Sequence, residues 1–188
     1  MKRHFFTVIL LALVSLAGIA SSGNQLIDSL KSVIENKNNH DTTIIKAYSE
    51  IAILLHYSDP ELSKSYSIES RSIIEKLLIK NLSNREKEVL YSCLGSSYSI
   101  LSSIYRDQES FDTAMIYIEK AISIYERLGA KDDIANVLNS KGLIYDYQGD
   151  IPKALEYYHK SLKMIEEVGD KKGIASAMSN IAYVYNGQ

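Results

Sequence analysis

The sequence predicts an all-α protein built from stacked antiparallel helix pairs, and three features of the chain carry that prediction. First, Ile134-Ala135-Asn136-Val137-Leu138-Asn139-Ser140-Lys141-Gly142-Leu143-Ile144-Tyr145 returns 40 residues later as Ile174-Ala175-Ser176-Ala177-Met178-Ser179-Asn180-Ile181-Ala182-Tyr183-Val184-Tyr185, with a weaker copy at Leu94 to Tyr105. A fixed period of this size marks stacked units rather than one globular core. Second, apolar residues recur at helical spacing and only two prolines, Pro60 and Pro152, interrupt the chain. Third, Gly129 and Gly169 stand 40 residues apart, each where a helix needs a left-handed residue to end.

The N-terminus reads as an export signal. Met1-Lys2-Arg3-His4 is a basic start, Phe5 to Ala20 is an apolar run, and Gly18-Ile19-Ala20 places small residues at a cleavage site. Those are the three parts of a secretory signal peptide over residues 1–20, with cleavage after Ser22 as the alternative. An uncleaved anchor is the other reading, although spanning needs roughly 17–25 residues. Lys2 and Arg3 keep their end in the cytoplasm in either case, so the rest of the chain is expected on the periplasmic or extracellular side. With no cysteine near the site, a lipoprotein anchor is excluded.

Residues 24–36 have apolar side chains at Leu26, Ile27, Leu30, Val33 and Ile34, the pattern of a helix, and the polar stretch to His40 reads as a linker. A second helix is expected over Thr43 to Tyr57. Asp59 can cap the next one, and Pro60 suits its first turn, where a missing N–H costs nothing. That helix reaches about Lys80. Ser83-Asn84-Arg85-Glu86 has the spacing of a capping box for a long helix over Asn84 to Asp107. Helices then follow at Phe111 to Leu128, Lys131 to Gln148, Ile151 to Val168, and from Lys171 onward.

Composition excludes several function classes. A formal net charge of −2, mixed in sign along the chain, leaves no basic footprint for nucleic acid. The single cysteine, Cys93, allows neither an intramolecular disulfide nor a thiolate cluster, and its apolar neighbours suggest a buried thiol. His4, His40, His56 and His159 are scattered without metal-ligand spacing. No phosphate loop or nucleophile elbow is present. The expectation is therefore no enzyme, no catalytic residue, no metal and no cofactor.

The helix pairs resemble tetratricopeptide repeats, of the long branch with a period near 40. The residues that carry the likeness are Gly142, Tyr145, Ala154, Tyr158 and Ser161 in one unit, and Ser102, Tyr105, Ala114, Ile118 and Ala121 in the unit before. Ala182 and Tyr185 keep the pattern in the last unit. Ala52, Ser63 and Ser70 keep it in the first, with Leu55 in place of the tyrosine. The resemblance implies a right-handed α-solenoid over 43–188, with units at about 43–82, 95–133 and 135–172 and a partial one at 174–188. These small residues let helices cross closely, while large ones fill the space between pairs. Lys141 departs from the pattern; its stem is expected to cover the helix while its ammonium reaches water.

In such a solenoid the first helix of each pair lines the inner surface. The inward positions are Asn136, Asn139, Leu143, Asp146 and Tyr147 in the best unit. They are Ser96, Ser99, Ser103 and Arg106 in the one before, and Ser176, Ser179, Tyr183 and Asn186 in the last. In the family such side chains hold extended peptides, and Asn180 occupies the place of a peptide-binding asparagine. Its counterparts are Ser140 and Ile100, so the amide ladder is incomplete. The same residues also fit an ordinary solvated face. Few Lys or Arg stand here, which disfavours a clamp for a carboxylate terminus.

From Gly173 to Gln188 no residue is charged, although a terminal helix should be polar on its outer side. A fragment or a truncated gene is the first expectation; pairing with another copy or a partner, and a tolerated frayed end, are the others. The functional expectation is an exported protein- or peptide-binding adaptor. The alternative is the periplasmic input region of a membrane-bound signalling protein, since the chain also resembles the exported sensor part of bacterial histidine kinases and regulators with such repeats.

Overall fold

The computed structural model describes residues 23–186; the expected signal peptide lies outside them. A helix over 23–35 (α1) precedes three helix pairs and a last helix. They are α2 (Asp41–Leu55) with α3 (Pro60–Leu78), α4 (Asn84–Asp107) with α5 (Phe111–Leu128), α6 (Lys131–Tyr147) with α7 (Ile151–Val168), and α8 (Lys171–Asn186). From α2 onward each helix packs against the next in sequence, so the chain forms the α-solenoid of antiparallel pairs that the repeat implied. None of the described helices is long and apolar enough to cross a membrane.

The local signals act where they stand. Asp59 Oδ1 accepts from Leu62 N at 3.0 Å, with Pro60 opening α3. The Ser83 hydroxyl accepts from Glu86 N while Glu86 Oε2 accepts from Ser83 N at 2.8 Å, closing the capping box of α4. Gly129 and Gly169 end α5 and α7 in the left-handed region. The start of α2 differs from expectation: it begins at Asp41, not Thr43, because the His40 ring Nδ1 accepts from Thr42 N. Histidine is not among the residues that usually mark a helix start.

The turns between paired helices show one irregularity. Gly149 takes φ 76°, and Glu109, at the matching place in the preceding unit, takes φ 56°. A side chain in that region costs about 1 kcal/mol. The α4–α5 turn is therefore strained where the α6–α7 turn is not.

Within each pair, small residues permit close crossing. A Cβ on Gly142 would lie 2.6 Å from the Tyr158 ring and 3.2 Å from the Ala154 carbonyl oxygen, so only hydrogen fits. Ser102, Ala114, Ala121, Ala154, Tyr158 and Ser161 are all buried. The Ser161 hydroxyl donates to the Ala135 carbonyl at 2.7 Å, and Ser63 donates to that of Ala52 at 2.6 Å, so neither buried hydroxyl is left unpaired. Tyr105 stacks on Tyr117, and 40 residues later Tyr145 stacks on Tyr157, both with planes 9° apart. Lys141 behaves differently from expectation. Its stem is nearly covered, but its ammonium donates to Glu119 on α5 at 2.5 Å and lies 4.7 Å from the centre of the Tyr157 ring. It ties α5 to α6 and α7 instead of reaching open water.

Two positions in the last unit do not pack as the repeat pattern implied. Ala182 is exposed, and Tyr185 is 56% exposed. Their counterparts Gly142 and Tyr145 are covered by α7, whereas among the described residues no helix follows α8. Met178, in the register of Leu138, is exposed for the same reason.

Candidate functional site

The first helices of successive pairs, α2, α4, α6 and α8, lie side by side. α2 meets α4 closely, while α4 and α6 barely touch. A hollow of about 440 Å³ opens there, lined by Ile53, His56 and Tyr57 at the end of α2, by Ser96, Ser99, Ile100 and Ser103 of α4, and by Asp133, Asn136, Val137 and Ser140 of α6. Tyr125 forms its floor.

The floor has a cause in the sequence. Tyr125 rises from α5 against α4 at Gly95, where an added Cβ would stand 2.6 Å from the ring. One period later the pair is Ala135 and Ile165, which share a buried cluster. Glycine in one unit makes room for tyrosine, and alanine in the next receives isoleucine. The Tyr125 ring is buried and its hydroxyl lies beside those of Ser96 and Ser99; burial pushes that phenol up from its usual range, and these two hydroxyls pull against the rise.

Several lining groups have settled partners. The Ser99 hydroxyl donates to the Gly95 carbonyl at 3.0 Å, and Ser140 donates to that of Asn136 at 3.2 Å. His56 Nδ1 is buried without a hydrogen-bond partner, and burial lowers the pKa of the ring, which favours the neutral form. Partial desolvation, followed by the Asp132 carboxylate, raises that of Asp133. Cys93, as expected, is buried, and its thiol is pushed up by that burial.

The inner-face residues named from the sequence divide into groups. Ser99, Ser103 and Asn136 line the hollow together. Arg106 and Tyr147 line a neighbouring depression with Phe111, on which Tyr147 stacks at 6.4 Å. The Arg106 guanidinium is turned to Asp107 at 2.7 Å. Leu143 is not free for a ligand: it packs against the cluster of Ala154, Tyr158 and Val184. Asp146 accepts from the Tyr158 hydroxyl at 3.5 Å. Ser179, Tyr183 and Asn186 are exposed on α8, Tyr183 at 75%.

Asn139 and Asn180 form a pair of their own, with Asn180 Nδ2 donating to Asn139 Oδ1 at 2.9 Å. Each amide holds the other helix, so the two do not stand ready as a free ladder. Asn139→Ala should therefore loosen α8 and cost about 1 kcal/mol. Faster amide exchange confined to residues 174–185 would show it; unchanged exchange there would refute the tether.

Six lining residues escaped the sequence reading: Ile53, His56, Tyr57, Tyr125, Asp133 and Val137. The first three lie at a helix end, where the first unit departs from the 40-residue register. Tyr125 belongs to a second helix, and its signal was the Gly95–Tyr125 against Ala135–Ile165 exchange of sizes. Among the described residues, no group of three or more His, Cys, Asp or Glu side chains could hold a metal ion.

A stack of antiparallel helix pairs with a polar, partly aromatic hollow along its first helices defines a helical-repeat scaffold. The tetratricopeptide repeat family model matches residues 93–167 and 133–188, just over half of the chain, and the chain belongs to that family. The fold is similar to that in the crystal structure of BtubC (BKLC) from P. vanneervenii, with a TM-score of 0.63 at 17% identity, over 89% of this chain and 64% of that one. The chain thus spans less than two thirds of BtubC. No curated protein matches the sequence. Repeats of this family are typically protein-interaction scaffolds rather than catalysts.

Proposed function

We propose that the chain is an exported adaptor that binds a protein segment or peptide along its first helices, chiefly at the hollow between α4 and α6. The observation that carries this is the hollow itself: polar hydroxyls and an amide on α4 and α6 stand around an apolar wall of Ile53, Ile100 and Val137. A few placed polar groups in an otherwise apolar concavity are what ligand sites share. An extended segment laid there meets both.

The test is steric. Ser99→Arg and Asn136→Arg each fill the hollow from one wall. Peptides selected from a random linear library on the unaltered protein should lose at least about tenfold in affinity for either variant, equivalent to about 1.4 kcal/mol. Lys163→Glu, on the exposed side of α7, should leave binding unchanged. Loss with Lys163→Glu and none with the other two would refute the assignment.

Export rests on the basic start, the apolar run and the small residues of 1–20. Expressed from Met1 in a bacterium, the protein should be recovered outside the cytoplasm with a mass that begins at Ser21. A full-length cytoplasmic product would contradict export. The second reading, an input region of a membrane-bound signalling protein, rests on the resemblance to the exported sensor part of bacterial regulators with such repeats.

A further inference from the structure

The lining of the α4–α6 hollow carries a carboxylate and neither lysine nor arginine. The hydroxyl protons of Ser99 and Ser140 are spent on carbonyls of their own helices, Gly95 and Asn136. What each oxygen still offers the hollow is a lone pair. The Asn136 amide and the hydroxyls of Ser96, Ser103 and Tyr125 can each donate or accept, and Asp133 supplies a carboxylate at the rim. No Lys or Arg lines the hollow, so this acid faces no fixed counter-ion within it. The Asp133 carboxylate also has no ion-pair partner within 4 Å among the described residues. The rest of the wall suits an aliphatic stem, with Ile53, Ile100 and Val137 on the sides and the rings of Tyr57 and Tyr125 at mouth and floor. A cation with a hydrocarbon stem satisfies all of these groups together: the stem covers the apolar wall, the rings favour positive charge, and the head donates to hydroxyls and carboxylate.

We propose that this hollow is a recognition pocket for a lysine or arginine side chain of the bound segment, with Asp133 as the group that selects its charge. The proposal rests on the peptide-binding reading above and narrows it to segments bearing a basic anchor residue. A basic side chain offers its donors and its charge to Asp133, whereas an acidic one would set carboxylate against carboxylate. Steric room comes from Gly95, which lets Tyr125 form the floor without closing the space between α4 and α6.

The experiment uses linear peptides selected from a random library on the whole chain, each then remade with its Lys or Arg replaced by norleucine. Binding is read against the unaltered protein, Asp133→Asn and Ser99→Arg, with thermal melting to confirm that the variants fold. The expected result is enrichment of peptides that share a basic residue. Norleucine in the peptide and Asp133→Asn in the protein should each weaken binding about tenfold or more. Together they should lose little beyond either alone, since both remove one interaction. Peptides without a shared basic residue, or indifferent to Asp133→Asn yet lost with Ser99→Arg, would overturn the basic pocket and leave the peptide groove standing. Peptides indifferent to both variants, or no enriched peptide at all, would overturn both. Should Asp133→Asn fail to fold, the norleucine peptides decide the matter alone.

Discussion

Gly142→Leu is expected to be among the most damaging single substitutions in the chain. The residue sits where α6 crosses α7, and a Cβ there would already stand 2.6 Å from Tyr158 Cδ1 and 3.2 Å from a backbone oxygen. The ring cannot swing away, because Tyr158 is fully buried among Ala154, Val184, Leu143 and their neighbours. The helices must separate instead, and the contacts of the whole pair weaken with them. Overpacking of this kind costs typically 1–3 kcal/mol and more where backbone must move; about 3 kcal/mol is the expectation here. A urea transition displaced by that amount would agree. An unchanged midpoint would sink the alignment of the repeats. The preceding unit shows the compensating choice: Ser102 stands where Gly142 does, and Ile118 where Tyr158 does. The double variant Gly142→Ser with Tyr158→Ile should accordingly be more stable than Gly142→Ser alone.

The second large effect is Tyr158→Ala. Among the described residues this is the largest fully buried side chain, and it joins α6, α7 and α8. Removing so large a buried ring costs about 3–5 kcal/mol in transfer and cavity terms. The loss should show in α8 as well as in the α6–α7 pair, because Val184 packs on the same cluster. Tyr158→Phe separates ring from hydroxyl. The hydroxyl reaches Asp146 only at 3.5 Å, a long bond, so this change should cost less than about 1 kcal/mol. Burial, together with the Asp146 carboxylate, pushes the phenol well above its usual range. Equal losses for Tyr158→Ala and Tyr158→Phe, measured by denaturant unfolding, would contradict a role in packing.

Much of the fold was legible because it is written twice. Helix ends at Asn84, Asp107, Phe111, Leu128, Ile151 and Val168 follow from caps, glycines and prolines at fixed offsets. The packing set followed from size: glycine, alanine and serine where helices cross. What the period could not convey was which polar residues find each other. Asn139 and Asn180 lie 41 residues apart, not 40, so matching positions in adjacent units gave no hint of their bond. Leu143 lies on the inward side by register, yet the neighbouring Tyr158 and Val184 draw it into the core. Tyr125 belongs to the second helix of its pair, and only the missing side chain at Gly95 lets it reach the inner surface. Register predicts direction; it does not predict which neighbour is large enough to capture a side chain. Ala182 and Tyr185 make the same point from the other side, since a packing position needs a neighbour as well as the right residue.

The central claim is that a protein segment binds on the first helices of successive pairs, between α4 and α6. Amide hydrogen exchange, with and without a library-selected peptide, tests it most directly, because ligand contact slows local opening where the ligand sits. The account predicts slowed exchange over residues 96–103 and 133–140, with the outward sides of α5 and α7 unchanged. Protection confined to α5 and α7, or to α8 alone, would contradict it.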